Sequence, residues 1–301
     1  MNEAASRVPC SIVLAVLALE LDVEARLRVL CAEAAANGGE VVVGSGAGPM
    51  PPTLSDQPNL LWFAHATAGI FSLRREAISR ARGDVVVLTE DHCEVEPGWL
   101  AQVLESHARH PDADVVVGRV VNGTTATAID RAAFFVSLGP LMTPVDRLAS
   151  AAAIPVAGAA LKRRTIERLT SCTGEMPFEL VPSATLEQLG LRVVVDDGLR
   201  MAHLQAGSWA LHARLHFHNA RAVSGSKWRR GQPRTWLRLV GSPALIALRT
   251  AATLRRVRAH GASAGVLASA LPGLVWLYTA KAVGEWAGTL LGEGLSPQRL
   301  R

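Results

Sequence analysis

The chain has 301 residues, 49% of them hydrophobic and 19% charged, so it can bury a large core and is too apolar for a disordered protein. Its four cysteines lie far apart without a C-x-x-C pair, which excludes a disulfide scaffold and a zinc ribbon and fits a reducing compartment. The net charge of +5 is unevenly spread: residues 205–301 carry 12 Arg and 2 Lys against 2 Glu, or +12, which leaves −7 for residues 1–204.

Short β-branched runs alternate with helical patterns along the first part of the chain. The alternation predicts a mainly parallel sheet covered by helices on both faces. The first apolar run, residues 11–19, leads directly into charged residues, so we interpret it as a buried strand rather than a signal peptide and expect a cytoplasmic protein. Strands are predicted at residues 11–19, 40–43, 60–64, 84–88 and 114–121, and helices at residues 23–36, 68–82 and 97–110.

Ligands of such sheets bind beyond the carboxyl ends of the strands, so the loops that follow the strands are the places to search. The loop at residues 44–58, rich in Gly and Pro, follows the second strand. It contains neither G-K-[ST] nor G-x-G-x-x-G, and its spacing alone favours a flexible surface loop over a phosphate-binding loop.

A second loop, residues 89–96, follows the strongly apolar strand at residues 84–88. Glu90, Asp91 and His92 leave that strand together, at the position where a ligand would lie. Carboxylate and imidazole groups bind divalent cations such as Mn²⁺. From the residues alone, a metal site and an acidic solvated turn remain equally good interpretations.

A third stretch, residues 175–203, contains a helix that begins at Glu179 and ends at Gly190, a strand at residues 191–195, and His203. A glutamate at the start of a helix usually interacts favourably with the positive end of the helix dipole, so Glu179 alone does not indicate catalysis.

The basic C-terminal third contains five of the seven Trp residues. Residues 242–260 predict an amphipathic helix bearing four Arg, and residues 262–291 are nearly uncharged. Basic residues beside an apolar helix with flanking Trp are typical of an interfacial membrane anchor, and we favour this over two ordinary packed helices. Pro272 and the many Ala and Gly disfavour a full membrane span. His216 and His218 are assigned to the basic surface.

The order of these features resembles family 2 glycosyltransferases, which have the GT-A fold. Residues 74–100 (RREAISRARGDVVVLTEDHCEVEPGWL) are similar to the helix, ARGD, strand, acidic motif and PGWL block of that family. Residues 155–169 resemble its small-residue strand and following helix, and residues 179–203 its acidic helix, glycine, strand and terminal histidine. The resemblance implies a Rossmann-like α/β fold with a mainly parallel mixed sheet, followed in this chain by C-terminal amphipathic helices.

The resemblance also implies roles for single residues. Glu90 and His92 lie in the metal-binding motif together with Asp91, and His203 matches a late histidine that reaches the metal or the diphosphate. Glu179 occupies the position of the general base. The remaining implied donor-binding residues are Arg74, Asp91, Gly44 and Ser45. In the family an acidic pair binds the nucleoside after the second strand, and in this chain Gly44 and Ser45 occupy that position.

The implied reaction is the inverting transfer of a sugar from a nucleoside-diphosphate sugar to a hydroxyl acceptor. A divalent cation, Mn²⁺ or Mg²⁺, and an Arg would stabilise the departing diphosphate. In this chain Glu90-Asp91-His92 replaces the usual D-x-D, and an imidazole ligand favours Mn²⁺ over Mg²⁺.

We expect a GT-A glycosyltransferase domain at residues 1–205 and a basic, membrane-associated helical tail at residues 206–301. Such a tail suits a lipid-linked acceptor or a cell-envelope glycan precursor, with the enzyme peripheral at the inner face of the cell membrane. Two alternatives remain. One is a non-catalytic nucleotide-sugar-binding or scaffold protein of the same fold. The other is a nucleic-acid-binding protein, which the apolar run at residues 266–277 disfavours.

Overall fold

The structure is a computed structural model with two compact units. The second unit consists of Asn122–Met142 and His203–Arg301. The division into two domains at residue 205 stays a prediction. The first unit consists of Met1–Val121 and Thr143–Ala202. The described residues are 7–19, 21–139, 142, 153–154, 157–173, 181–182, 187–229 and 242–300.

The first unit is built on an eight-stranded mixed sheet, as expected for the GT-A fold. Two further strands, β7 (Ala153–Ile154) and β9 (Val181–Pro182), form a separate antiparallel pair. The sheet strands are β1 (Val8–Val16), β2 (Glu40–Ser45), β3 (Leu60–Ala64), β4 (Gly83–Leu88), β5 (Cys93–Val95), β6 (Val115–Asn122), β8 (Ala159–Lys162) and β10 (Val193–His203), in the order β3-β2-β1-β4-β8-β6-β10-β5.

The half of the sheet nearest the N-terminus is parallel. β1 pairs in parallel with β2 and β4, and β2 pairs in parallel with β3. These strands are continuous apolar runs because parallel strands are covered on both faces, and most residues of β1 and β2 are buried. The carboxyl ends of β1, β2 and β4 therefore lie at the same edge of the sheet.

β1 begins earlier than the sequence pattern indicates. The pattern predicts a strand at residues 11–19, whereas the strand is Val8–Val16. Its first residue, Val8, pairs with Gly83 at the start of β4, so the partner strand determines where β1 begins. The chain then leaves the sheet before α1, which starts at Leu21.

The sheet is mixed because strand β8, which begins with two alanines, runs antiparallel to its neighbours. β8 pairs antiparallel with both β4 and β6, and Ala159 and Ala160 are buried between them. This strand and the helix after it coincide with the second stretch of family resemblance, residues 155–169.

Eight helices are described. The predicted helices at residues 23–36, 68–82 and 97–110 correspond to the first three, each within two residues of its predicted end. The helices are α1 (Leu21–Ala36), α2 (Ile70–Arg80), α3 (Trp99–Arg109), α4 (Ala128–Leu138), α5 (Arg163–Thr173), α6 (Trp209–Arg229), α7 (Ser242–Ala259) and α8 (Ala264–Leu291).

The second unit is helical and is organised around α8. Glycines on one side of α8 allow neighbouring helices to approach closely, because a Cβ at Gly273 would lie 2.6 Å from Ala132 of α4. A Cβ at Gly284 or Gly288 would lie 2.3 Å from a carbonyl oxygen of α6. The high Gly content of this apolar segment therefore serves helix packing.

The opposite side of α8 is exposed and apolar. Its largest exposed side chains, which we call the α8 stripe, include two tryptophans, and α8 contains only two charged residues. Among the described residues, α8 alone is long and apolar enough to cross a membrane, and 33% of its most apolar window is buried. The stripe comprises Leu271, Val275, Trp276, Val283, Trp286, Leu290 and Leu291.

The assignment of His216 and His218 to the basic surface was wrong. Both lie on α6 and are buried. Burial, and secondarily the charge of Lys281, lowers the pKa of His216 to about 3. A run of basic residues around HFH in the sequence does not reveal which side of the helix faces its neighbours.

Candidate active site

The loop after β4 is held at the carboxyl edge of the sheet by its neighbours. Thr89 follows the last residue of β4 and donates its backbone N–H to Val13 of β1 at 3.1 Å. Its hydroxyl contacts the Met201 sulfur on β10 at 3.6 Å. Thr89 is almost completely buried, so the residues that follow it leave the sheet from a fixed point.

The residues after Thr89 form a tight turn. The backbone N–H of Cys93 donates to the carbonyl oxygen of Glu90 at 3.0 Å, and Arg26 of α1 donates its Nε–H to the carbonyl oxygen of Asp91 at 2.7 Å. β5 begins directly after this turn. Because both ends of the turn are tied to regular elements, its acidic side chains have a defined direction.

The three residues predicted to bind metal lie together. Glu90, His92 and His203 each offer one ligand atom, and these atoms all lie within 4.8 Å of one another. His203 is the last residue of β10 and is buried, whereas Glu90 and His92 are half-buried. The loop after β4 thus supplies one carboxylate and one imidazole, and the last residue of β10 supplies the second imidazole. We call these three residues the Glu-His-His cluster.

The carboxylate of Asp91 contacts the ring of His92. The Asp91 Oδ1 atom lies 2.7 Å from His92 Nδ1, and His92 Nε2 lies 3.6 Å from Glu90 Oε2. Burial alone would lower the pKa of His92, but the hydrogen bond to Asp91 and the charges of Glu90 and Asp91 raise it. Asp91 therefore orients the ring so that Nε2 faces Glu90.

Arg74 lies beside the cluster on α2. It donates from Nη2 to Glu90 Oε1 at 2.6 Å, and its side chain is 10% exposed. Among the described residues its buried Nε–H has no hydrogen-bond partner. The positive charge of this guanidinium lies next to the cluster, where it can stabilise an anionic group.

Gly44 and Ser45, which we expected to contact the donor, are packed into the structure. A Cβ at Gly44 would lie 2.8 Å from both the Leu73 carbonyl oxygen and the Phe63 ring. Ser45 is completely buried, and its hydroxyl accepts the backbone N–H of Ala47 at 3.1 Å. In this structure both residues have clear packing roles, and their contact with a donor stays a prediction.

Glu179, the residue in the general-base position, lies outside the described residues. Its role as the base therefore stays a prediction that rests on the family resemblance.

The Glu-His-His cluster fits a divalent cation. One carboxylate and two imidazoles are a mixed oxygen and nitrogen donor set, which suits Mn²⁺ better than the all-oxygen surroundings preferred by Mg²⁺. Each imidazole also has a hydrogen-bond partner on its other nitrogen, Asp91 on His92 and Gln205 on His203. Such partners are characteristic of histidines that bind metals.

Sequence reasoning missed Gln205 and its neighbour Asn122. Gln205 lies two residues after His203, in a segment without periodicity or a recognised motif, and Asn122 is 83 positions away in the chain. Nothing in the sequence links the two residues. Only the pairing of strand ends brings them together.

Comparisons with known proteins agree with this geometry. Residues 56–169 match the model of the glycosyl transferase family 2, a range that includes the turn with Glu90, Asp91 and His92. No curated protein sequence matches the chain significantly.

Among solved structures, the chain is similar to the mannosyltransferase PcManGT from Pyrobaculum calidifontis, solved with GDP-Man and Mn²⁺. The TM-score is 0.54 at 20% identity, and the match covers 95% of this chain and 88% of that one. A weaker similarity, with a TM-score of 0.42 at 14% identity, is found to residues 1–349 of S. aureus TarS, covering 65% of this chain and 60% of that one. Residues 56–169 are therefore a family 2 glycosyltransferase segment, and the protein is a glycosyltransferase of the GT-A fold.

Proposed function

We propose that the protein transfers a sugar, with inversion, from a nucleoside-diphosphate sugar to the hydroxyl of a lipid-linked acceptor at the inner face of the cell membrane. The observation that carries the proposal is the Glu-His-His cluster at the carboxyl edge of the sheet, with Arg74 beside it. In the proposed reaction, the diphosphate of the donor would bind at this edge of the sheet.

The chemistry requires charge to be stabilised on the leaving diphosphate. A divalent cation, once bound by Glu90, His92 and His203, would supply that stabilisation. The Arg74 guanidinium donates to Glu90 and places a positive charge beside the cluster, where it would stabilise the negative charge of a phosphate oxygen. Asp91 holds His92 in the orientation that presents Nε2, so little reorganisation is needed when the donor enters.

Inversion follows from a single displacement at the anomeric carbon. In such a step the acceptor hydroxyl attacks opposite the leaving diphosphate, and a carboxylate must accept its proton. The family resemblance assigns this task to Glu179. A hydroxyl is a poor nucleophile until this proton is removed, so loss of the base should abolish turnover without abolishing donor binding.

The nature of the donor is best approached through the Pyrobaculum calidifontis relative, whose structure contains GDP-Man and Mn²⁺. This supports GDP-mannose with Mn²⁺ as the first pair to test, followed by UDP- and dTDP-sugars. A donor that binds the folded protein raises its melting temperature by mass action. We expect one nucleotide class to do so, more strongly with Mn²⁺ than with Mg²⁺.

The Glu179→Gln variant tests the reaction itself. We expect donor affinity close to that of the wild-type protein and turnover lower by about 10²–10⁴-fold, the contribution typical of a general base. Glu187→Gln, on the exposed surface nearby in the sequence, is the matched control and should retain full turnover. Product of retained anomeric configuration, or full activity of Glu179→Gln, would contradict the inverting mechanism.

The α8 stripe supports docking on a membrane surface. Its large side chains are 41–75% exposed and, except for Leu291 at the end of the helix, lie on one side of α8. An isolated soluble protein rarely exposes so long an apolar strip. Trp276 and Trp286 are 47% and 41% exposed, and tryptophan prefers the level of the lipid headgroups. Burying such side chains contributes about 1 kcal/mol or more each.

The charge of the second unit supports an anionic bilayer as the partner of this surface. The second unit is strongly basic, and Arg255 and Arg258 of α7 are exposed. Basic residues near an anionic leaflet contribute about 1 kcal/mol each. The four cysteines are all free, which is consistent with the reducing side of the membrane. Docking there would confine the enzyme and a lipid-linked acceptor, such as a cell-envelope glycan precursor, to one plane.

Liposome flotation of the full chain tests this part of the proposal. We expect binding to vesicles that contain anionic lipid, weaker binding to purely zwitterionic vesicles, and an approximately tenfold loss for Val283→Glu. Val29→Glu is the matched control because Val29 is 45% exposed on α1, almost as Val283 is on α8 at 47%.

Two results would contradict membrane docking. One is equal liposome binding by both variants. The other is a wild-type dimer in light scattering that Val283→Glu converts to a monomer, because a second copy of the chain would then be the occupant of the stripe.

A further inference from the structure

The environment of His203 contains a residue with a defined task that neither the family resemblance nor the comparisons assign. We propose that Gln205 is a positioning residue that holds His203 in the tautomer with hydrogen on Nδ1, so that Nε2 carries the lone pair for a metal ion. The inference rests on the metal-dependent function proposed above. Its basis is a 2.6 Å contact between His203 Nδ1 and Gln205 Oε1.

The orientation of the Asn122 and Gln205 side-chain amides follows from backbone groups that can only donate or only accept a hydrogen bond. The backbone N–H of Thr124 must donate, and it contacts Asn122 Oδ1 at 3.1 Å, so that atom is the oxygen of Asn122. The Gln205 atom 2.6 Å from this oxygen must then be the donor, Nε2.

A second backbone group gives the same answer independently. The carbonyl oxygen of Asp130, which can only accept, lies 3.3 Å from Gln205 Nε2. If the amide were turned over, the Gln205 oxygen would face two oxygens, those of Asn122 and Asp130. The turned state would lose two hydrogen bonds, each contributing about 1 kcal/mol, and would add repulsion between the oxygens.

The consequence for His203 is unambiguous. Gln205 presents Oε1, which can only accept, so His203 Nδ1 must carry the hydrogen and donate. In a neutral imidazole the other nitrogen, Nε2, then has the lone pair. A histidine in the opposite tautomer would offer N–H where the metal ligand is needed.

Backbone hydrogen bonds fix the positions of His203 and Gln205 relative to each other. The Gly123 N–H donates to the His203 carbonyl oxygen at 3.0 Å, and the Gln205 N–H donates to the Thr124 hydroxyl at 3.1 Å. The segment after β6 and the segment after β10 therefore run side by side at the site. Gln205 is held at its main chain as well as at its side chain.

The two imidazoles of the cluster thus use the same arrangement with different partners. His92 has the Asp91 carboxylate on Nδ1, and His203 has the neutral Gln205 amide. An amide fixes the tautomer without adding a negative charge. This matters where a diphosphate must bind, because each additional carboxylate would repel it.

The tautomer can be measured directly by long-range ¹⁵N–¹H NMR of metal-free protein at pH 8, with His203 assigned by comparison with His203→Gln. We expect the Nδ1–H form in the wild-type protein. In Gln205→Met, which keeps the length of the side chain but lacks the acceptor, we expect His203 to shift toward the Nε2–H form. Asn122→Ala, which frees the Gln205 amide to turn over, should shift the tautomer in the same direction.

Mn²⁺ affinity, measured by electron paramagnetic resonance, is the second readout. We expect Gln205→Met and Asn122→Ala to bind Mn²⁺ about 10–100-fold more weakly, the range typical of lost partners of metal-ligating histidines. Gln102→Met, at an exposed position on α3, is the matched control and should retain both the tautomer and the affinity. Circular dichroism establishes that each variant is folded.

The outcomes separate this inference from the proposed function. A folded Gln205→Met in which His203 keeps the Nδ1–H form would overturn the inference, as would a changed tautomer with wild-type Mn²⁺ affinity. If the wild-type protein bound no Mn²⁺ at all, the metal-dependent function would fail, and with it the role of Nε2 as a metal ligand, whereas the NMR comparison would still decide whether Gln205 sets the tautomer.

Discussion

His92 at the sheet edge and two histidines of α6, His216 and His218, are alike in the sequence, yet their surroundings are opposite. His92 has carboxylates on both ring nitrogens, and these raise its pKa despite partial burial. His216, on α6, has Lys281 and His212 nearby, and burial lowers its pKa to about 3. Burial and the charges of Arg299, Arg214 and Arg221 likewise lower the pKa of His218.

The partner of a histidine, and not the local density of basic residues, therefore determines its role. A histidine beside carboxylates is held ready for a cation or a proton, whereas a histidine buried among cationic groups is kept neutral as a packing residue. Substitutions that change these partners one at a time test the contrast.

The largest effect is expected from Glu90→Gln. The substitution keeps the shape of the side chain but removes the only negative charge of the Glu-His-His cluster and the partner of Arg74. We expect kcat to fall by about 1000-fold, which corresponds to roughly 4 kcal/mol, and Mn²⁺ affinity to fall with it. Glu94→Gln, exposed on the neighbouring β5, is the matched control; equal kcat values for the two variants would place the cation elsewhere.

The sequence was sufficient to predict this cluster only in part. Glu90 and His92 were predicted because they follow a buried strand within a recognisable block, and parallel sheets bind ligands at such ends. His203 depended on the family resemblance, since its meeting with Glu90 requires the pairing of β10 in the sheet. Gln205 carried no signal at all, because its role is defined by an amide orientation and not by a residue pattern.

The next largest effect is expected from Asp91→Asn. The amide can donate to His92 Nδ1, which would move the hydrogen of the ring to Nε2 and remove the lone pair from the metal side. We expect Mn²⁺ to bind about 10–100-fold more weakly. Isothermal titration calorimetry measures the loss, and Asp84→Asn, exposed on β4 with Arg7 at 3.2 Å, is the control. Unchanged affinity would show that His92 needs no carboxylate.

His216, which is buried on α6, should act on stability and not on binding. Because the pKa of His216 is lower in the folded chain, the unfolded chain takes up its proton first as the pH falls below about 6.5. The free energy of unfolding should therefore decrease with falling pH, by roughly 2 kcal/mol between pH 6.5 and 4.5, since one proton contributes at most about 1.4 kcal/mol per pH unit.

Chemical denaturation at several pH values checks this expectation. His216→Leu should flatten the pH dependence in this range, while His110→Leu, half-buried directly after α3, should retain it. If His216→Leu instead lowered Mn²⁺ affinity with no effect on the pH dependence, the distinction between the two groups of histidines would be lost.

The fold was more predictable than the site, with instructive exceptions. The long apolar strands and the first three helices follow directly from periodicity, and α7 and α8 from their amphipathic and apolar patterns. The membership of α4 in the helical unit could not be predicted, because it depends on a glycine of α8, Gly273, closing onto Ala132 from far along the chain. The sequence shows that a glycine is present but not what approaches it.

The smallest effect is expected from Gly44→Ala, which extends the comparison from histidines to glycines. The new methyl group would lie 2.8 Å from the Leu73 carbonyl oxygen and the Phe63 ring, so the backbone of α2 must move. We expect a loss of about 1–2 kcal/mol in the free energy of unfolding, as for other overpacked positions. Gly265→Ala, exposed in the first turn of α8 and without close neighbours, should instead stabilise by about 0.5–1 kcal/mol. Denaturant titration measures the stability of both variants. If Gly44→Ala lost donor affinity without losing stability, Gly44 would have a role in donor binding and not in packing.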